Sequence, residues 1–484
     1  MKPFVAPELI PAFPEIFLAF LAMILLILGV SRKGEDYKTV SNFSLFTLIA
    51  VAAVLCRFCD EKMVAFSGMF TIDNFAAYMK FLVLVGAAVS IFMATKYAER
   101  ERIMRFEYPV LILFSTLGMM LMISASDLIA LYMAIELQSL PLYVLAALKR
   151  DTVKSTEAGV KYFILGALSS GMLLYGASLI YGYTGTTNFT LITHALSQDG
   201  AASFGVIVGM VMLISGLAFK ISAVPFHMWA PDVYEGAPTS VTAFFAIAPK
   251  IAALALIVRV FMGPFAEMAE QWQQVIIFIA AASMALGAIA AIAQRNIKRM
   301  LAYSSIGHMG YALVGLAAAS SVGVNAILIY SAIYMFTAIG TFAVVLMMKQ
   351  KDRMVENISD LAGLARSHPL LAAAMAVMMF SMAGIPPLAG FFGKLFVFQA
   401  AIDAGLYELA IFGVITSVIG AYYYLRIIKI MYFDETPDDL LDPAEDRGLN
   451  FVLAGSSIAV IGFILVPAPL ISAAAVATQS LLLP

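Results

Sequence analysis

Four ionisable side chains stand inside stretches otherwise apolar enough for lipid: Glu136 in LIALYMAIELQSLPLYVLAAL, Lys220 in GMVMLISGLAFKISAV, Lys250 in VTAFFAIAPKIAALALIV and Lys394 in PPLAGFFGKLFVFQA. A charge at bilayer depth costs about 2.5–3.5 kcal/mol on insertion scales, so such residues persist chiefly where they pair, line water or carry protons. An amine stripped of water can release and rebind a proton, which a surface ammonium does not readily do. A carboxylate within about 4–6 Å holds that proton in place, so making and breaking a Glu136–Lys220 pair would act as a switch. The bland alternative is a static pair that only fixes helix packing, but burying an ion pair often fails to stabilise a fold. The pattern points to ion carriage.

Lys250 follows Pro249 about halfway along its stretch, too deep to reach either interface by snorkelling. Lys394 is nearer the end of its stretch, and there snorkelling competes with a role in a path. Lys161 and Lys80 lie nearer helix ends than Lys250, and Lys80 reads as a packing residue. His227, just past Pro225, and His308, in LAYSSIGHMGYALVG, could relay protons near neutral pH or be hydrogen-bonded packing residues, and the sequence leaves both open. No set of His, Cys, Asp or Glu has metal-ligand spacing, and no phosphate loop or flavin fingerprint is present, so neither a metal nor a cofactor is expected in this chain. The run Cys56-Arg57-Phe58-Cys59 invites a redox or zinc reading. A structural zinc site needs four ligands and a thioredoxin-like motif needs a βαβ context, so two small apolar residues near a helix end are the better account.

The elements that must position these groups are membrane helices. Of 484 residues, 62% are hydrophobic and 12% charged, with mean hydropathy +0.94, far from the roughly one-quarter charged content of soluble domains. A net charge of −2 gives no reason to expect nucleic acid. Apolar stretches of about 20 residues predict an all-α polytopic membrane protein with about fourteen transmembrane helices. They fall near 9–30, 40–58, 72–93, 109–126, 128–148, 155–182, 204–225, 239–261, 273–293, 300–318, 324–348, 370–402, 408–431 and 450–475. Segments 183–203, 349–369 and 432–449 are expected to be aqueous. The run from Ile16 to Val30 follows Glu8 and Glu15 rather than a basic start, so it reads as part of a first spanning helix and not as a cleavable signal. Basic residues such as Arg32, Lys33, Lys96, Arg100, Lys149, Arg295, Lys298, Lys351, Arg366 and Arg447 fall in loops after odd-numbered spans, while the other loops hold little beyond Arg57, Lys62 and Arg259. The positive-inside rule makes the odd loops cytoplasmic and puts both termini on the opposite side.

Two spans are interrupted. The seventh carries Pro225 and Pro231, and the twelfth carries Gly384, Pro386, Pro387 and Gly390. Proline removes a backbone donor and clashes with the carbonyl four residues back, freeing polar backbone groups at membrane depth. Both spans carry a lysine, and being five apart they cross in opposite directions, as an inverted repeat of spans 4–8 and 9–13 requires. Paired broken helices in inverted halves point to an ion path. The expected organisation is three N-terminal helices over 1–108, a first five-helix unit over 109–262, a second over 271–431, and a cytoplasmic loop with the last helix over 432–484.

The runs MAIELQSLPLYVLAAL, FKISAVPFHMWAPDVYEGAPTSVTAFFAIAPK, RNIKRMLAYSSIGHMGY and GIPPLAGFFGKLFVF resemble the proton-translocating, antiporter-like subunits of respiratory complex I, and FHMWAPDVYEGAPT is similar to the subunit N branch. The resemblance spans about residues 109–431. It implies a fourteen-helix subunit of the membrane arm of NADH:quinone oxidoreductase, with other membrane-arm subunits, lipid and protons as partners. NADH and quinone would be met only through the assembled complex. It further implies Glu136 as the modulator of Lys220, Lys250 as the central lysine and Lys394 as the lysine toward proton release, with Lys161, His227, Lys298 and His308 at polar positions linked to the path. Lysine at 250, and a chain that stops at Pro484 without a long lateral helix, favour the subunit N branch. The implied location is a bacterial inner membrane rather than that of an organelle. A multisubunit sodium/proton antiporter shares the Glu136 and Lys220 pattern, and a purely structural scaffold with charges as assembly pins is the reading of a different class.

Overall fold

The computed structural model describes residues 8–31, 37–58, 62–198, 203–350, 353–435, 441–443 and 446–482. The expectations resting on Arg32, Lys33, Cys59, Lys351 and Pro484 lie outside them. In chain order, α1 (Phe13–Ser31) and α2 (Tyr37–Leu55) precede a short antiparallel ribbon, β1 (Met63–Ala65) and β2 (Phe70–Ile72), in which Met63 faces Ile72. Then come α3 (Asn74–Arg100), α4 (Glu107–Ile123), α5 (Leu128–Ala146), α6 (Val153–Thr184), α7 (Phe189–Gln198), α8 (Phe204–Lys220), α9 (Trp229–Gly236) and α10 (Thr239–Met262). The second half holds α11 (Ala269–Ile292), α12 (Ile297–Ala317), α13 (Ser321–Val345), the two-residue strands β3 (Lys349–Gln350) and β4 (Arg353–Met354), α14 (Leu364–Ser367), α15 (Pro369–Ala383), α16 (Ala389–Asp403), α17 (Tyr407–Phe433), α18 (Arg447–Gly462) and α19 (Ala468–Leu482). Among the described residues nine helices are long and apolar enough to cross a membrane, and α4, α8, α15, α18 and α19 are shorter apolar helices.

Helices occupy every predicted stretch, but the stretches 370–402 and 450–475 hold two helices each, and a further helix, α9, follows the stretch 204–225. The break between α8 and α9 holds Pro225, with Pro231 lying instead in the first turn of α9, and the break between α15 and α16 holds Pro386 and Pro387. The third, between α18 and α19, divides what reads as one span over 450–475; Pro467 and Pro469 follow Gly462 closely enough to stop one helix and start another. The segment expected to be aqueous over 183–203 also contains α7.

Two helices lie at the centre. Every residue of the best apolar window of α10 is buried, and nearly every one in α13, whereas α1, α2, α6 and α17 keep most of theirs outward. Neighbouring helices close around them through small residues, which let backbones approach in a lipid environment where apolar burial alone gives little drive. A Cβ on Gly287 of α11 would sit 2.6 Å from the Gly307 amide of α12, and one on Gly176 of α6 would sit 2.6 Å from the Gly209 carbonyl of α8.

The loops sort into two ends. At one, Lys38 pairs with Glu99, Lys149 with Glu101, Lys96 with Asp446 and Arg299 with Asp232, joining loops that follow odd-numbered predicted spans. At the other, Asn188 donates to Gly68 O, Thr187 to Asp127, and Arg259 to Asp73.

Candidate functional site

The break between α8 and α9 positions two lysines at once. After Lys220 the amides of Ile221 and Ser222 both turn back onto Phe219 O, Ala223 N reaches Ala218 O, and Val224 N finds Ser283 Oγ at 2.9 Å. Trp229 opens α9 with its Nε1 donating to Phe219 O at 3.0 Å and its ring stacked on Tyr162 of α6 at 4.3 Å. Backbone groups freed by the break are thus satisfied inside the protein, as membrane depth demands. Lys220, closing α8, extends to α5 and donates to Ser139 Oγ at 2.7 Å. Ser222, within the break, accepts from Lys250 Nζ of α10 at 2.8 Å.

Glu136 lies one turn before Ser139 on α5. No ion pair joins it to Lys220 in this arrangement, and its Oε1 is buried without a hydrogen-bond partner. The predicted partners therefore share one face of α5 and α8, with the lysine held by the serine rather than the carboxylate.

Lys250 is 1% exposed, and its ammonium stands 5.6 Å from the ring centre of Tyr234. The Tyr234 hydroxyl lies beside Ser305 without closing a hydrogen bond, and Ser305 bonds Tyr334 at 2.8 Å. One turn on, His308 Nδ1 engages Tyr330 at 2.6 Å and Nε2 engages Tyr424 at 3.1 Å, while Tyr424 also bonds Ser304. A small cavity lined by Ser304, His308, Tyr311, Ser417, Tyr424 and Lys394 continues the series. Lys394 donates to Ser417 Oγ at 2.8 Å and to Ala383 O at 3.0 Å, over the face of Tyr311. Ala383 ends α15, so the second break supplies a carbonyl at a helix C-terminus, where the dipole favours a cation. Gly384 follows with φ +82°, and a Cβ there would meet Lys394 Cδ at 2.9 Å. Each of the three buried lysines is thus held by a serine hydroxyl, and between Lys250 and Lys394 lie further hydroxyls and one imidazole, groups able both to donate and to accept.

The other predicted residues lie off this line. Lys161, 40% exposed, pairs with Glu157 and Asp232 at 2.7 Å each. With Lys154, Glu235 and Arg299 these residues line an open, charged cavity. Lys298 is buried against Glu356 at 2.6 Å and donates to Ala237 O at 3.0 Å, beside that cavity rather than on the line. His227 is half-buried in the first break, with its Nδ1 unpartnered.

Residues 8–96 match the family described as NAD(P)H-quinone oxidoreductase subunit 2 N-terminal, and residues 125–420 the family described as NADH:quinone oxidoreductase/Mrp antiporter, TM. NADH-quinone oxidoreductase subunit N of Paramagnetospirillum magneticum is 56% identical over 478 residues, covering 98% of each chain. The chain belongs to the NADH-quinone oxidoreductase subunit N family. A chain of respiratory complex I from Thermus thermophilus superposes with TM-score 0.82 at 31% identity, covering 95% of this chain and 98% of that one. A chain of the Mrp complex from Dietzia sp. superposes with TM-score 0.85 at 23% identity, covering 98% of each, and so shares the fold. Within this family's fold, the three lysines all fall inside the matched 125–420 segment, as do both helix breaks between them.

Sequence reasoning passed over the serines. Ser139, Ser222 and Ser417 carry no charge to stand out from an apolar stretch, and only the fold brings each to a lysine. It also passed over two fully buried ion pairs near the far ends of α1, α3 and α10: Glu15 with Lys80 at 2.5 Å, and Asp73 with Arg259 at 2.8 Å. Asp73 additionally caps α3 by accepting from Ala76 N, and Arg259 Nε donates to Ile123 O. A charge near a helix end is the signal that points to Lys80 and Arg259, and snorkelling explains it equally well until their partners are seen.

Proposed function

We propose that this chain carries protons across the membrane as one subunit of the membrane arm of NADH-quinone oxidoreductase, while NADH oxidation and quinone reduction take place in other subunits. The observation that carries this reading is the line Lys220, Lys250, His308, Lys394. Each of its lysines is buried and held by a serine hydroxyl instead of by a fixed counter-charge. A lysine locked to a carboxylate would keep its proton, whereas one held by a hydroxyl can lose it and keep its hydrogen bond. Glu136 supplies the missing carboxylate one turn from Ser139, so coupling acts on Lys220 first. The end where the basic loops meet faces the cytoplasm, the termini face the periplasm, and the membrane is the bacterial inner membrane.

The test is a Lys250 series in the assembled complex, with assembly read on native gels and pumping by vesicle acidification. Lys250→Met keeps the stem and removes the amine, so the complex assembles and pumps poorly. Lys250→Arg retains a charge that proteins cannot deprotonate and pumps poorly as well, while Lys250→His keeps part of the activity. A structural pin behaves in the reverse order, and full pumping by Lys250→Arg removes Lys250 from the path.

A further inference from the structure

The three lysine-bearing serines are not equivalent. Ser139 spends its own hydroxyl proton on Ile135 O at 2.6 Å, and Ser417 directs its proton toward Ala383 O at 3.4 Å. Among the described residues no acceptor takes the Ser222 hydroxyl proton, while its oxygen accepts from Lys250. Ser222 is also one of the few non-glycine residues with positive φ, +57°. That left-handed conformation costs an L-residue energy and glycine almost none, and such residues cluster at functional sites. If the break needed only a tight turn, glycine would serve there. The residue present is instead a serine, fully buried, two positions after Lys220 and bonded to Lys250.

We propose that Ser222 is the hydroxyl through which a proton reaches Lys250 from the Lys220 side. This rests on the proton-carrying role of Lys250 proposed above. The step balances: Ser222 Oγ accepts a proton from the Lys220 ammonium acting through water, and the original hydroxyl proton passes to the Lys250 amine. One proton arrives, one leaves, and the serine ends neutral with its O–H bond rebuilt on the other side. Rotation of the hydroxyl afterwards restores the starting state, with Lys250 as ammonium donating again to Oγ. Ser139 does not do this, because its proton is committed to the Ile135 carbonyl; it holds Lys220 without relaying.

Three substitutions separate a hydroxyl role from a backbone role, measured in the assembled complex for pumping and for NADH:quinone activity. Ser222→Thr keeps the hydroxyl and worsens the backbone fit, Ser222→Gly relieves the backbone and removes the hydroxyl, and Ser222→Ala does neither favour. The relay predicts the order Thr, then Gly and Ala, with pumping in Ala reduced roughly tenfold, the scale of losing a buried hydrogen-bond partner of a charged group. A turn-forming role predicts Gly first and Thr last. Wild-type pumping by Ser222→Ala or by Ser222→Gly, or Gly outperforming a Thr variant that assembles normally, overturns the proposal. Glycine is the variant least disruptive to the turn, so the comparison survives even if Thr fails to assemble: impaired pumping in an assembled Gly variant supports the relay. Lys250→Met is run beside them: if it pumps normally the reading of Lys250 itself fails, whereas if it is impaired and Ser222→Ala is normal, only the relay fails.

Discussion

Glu136→Ala is the perturbation that most directly probes the switch at Lys220. Lys220 is bonded to Ser139 at 2.7 Å, and Glu136 lies three residues earlier on the same face of α5, so the amine has two alternative partners about 5–6 Å apart on one helix. A hydrogen bond from a charged donor is worth about 1.5–3 kcal/mol. Unit charges 4 Å apart attract by about 4 kcal/mol at an effective dielectric near 20. The carboxylate therefore outbids Ser139 by about 1–2.5 kcal/mol when the amine reaches it, a population bias of roughly 5- to 70-fold. That margin is small enough for a change in a neighbouring element to reverse, which is the property a switch requires. Glu136→Ala removes one of the two positions, leaving Lys220 on Ser139. The complex should assemble, since the Oε1 it loses bonds nothing here, while proton pumping and NADH:quinone electron transfer fall together. Glu136→Asp, with the same charge on a shorter stem, should retain part of both activities. Vesicle acidification with NADH as donor, normalised to assembled complex on native gels, reads the effect. Normal pumping by an assembled Glu136→Ala complex would refute the switch.

Asp73→Ala leaves Arg259 charged, buried and without its carboxylate, which costs about 3–5 kcal/mol, and it also removes the α3 cap, worth about 1 kcal/mol; the yield of assembled complex should drop sharply and its thermal dissociation move down, and unchanged dissociation would mean Arg259 finds another partner. Gly384→Ala puts a methyl 2.9 Å from Lys394 Cδ on a backbone at φ +82°, so pumping should fall with assembly retained, and a normal rate would show that Lys394 can move aside freely. Reporters fused after Arg100 should read cytoplasmic and those after Asp403 periplasmic; a cytoplasmic signal at Asp403 would break the two-ended sorting of loops.

What the sequence made legible follows from how loudly each residue type speaks in an apolar context. Lys220, Lys250 and Lys394 stand out because charge is rare there, and Pro225 and Pro387 mark their breaks because proline has one backbone meaning. The serines stay silent, since a hydroxyl in a transmembrane stretch commonly bonds its own helix, as Ser90 and Ser331 do here. Which hydroxyl crosses to another helix is a tertiary fact. The same limit explains Lys161 and Lys298: both read as polar positions linked to a path, yet acids distant in the chain pair with them, Asp232 of α9 with Lys161, beside Glu157 on its own helix, and Glu356 with Lys298. The break in the last span carries the same mark, since Pro467 and Pro469 lie inside the stretch 450–475, but no charge stands beside them to single it out.

The enclosure of α10 bears on how the chain is made. In the finished molecule this helix touches neighbouring helices on every side, yet over its best window it is more apolar than α2, much of which faces outward. Packing among protein neighbours does not require that: α10 could be far more polar and still fit. Membrane insertion does require it, because the segment must leave the aqueous insertion route and rest in lipid before its neighbours have closed around it. During that interval Lys250 is a bare cost of about 2.5–3.5 kcal/mol, offset by the Phe, Ile, Leu and Val side chains flanking it. The apolarity of those residues on every face records a moment of biogenesis, and polar substitutions in α10 that are harmless to the packed protein should still stop it from being built.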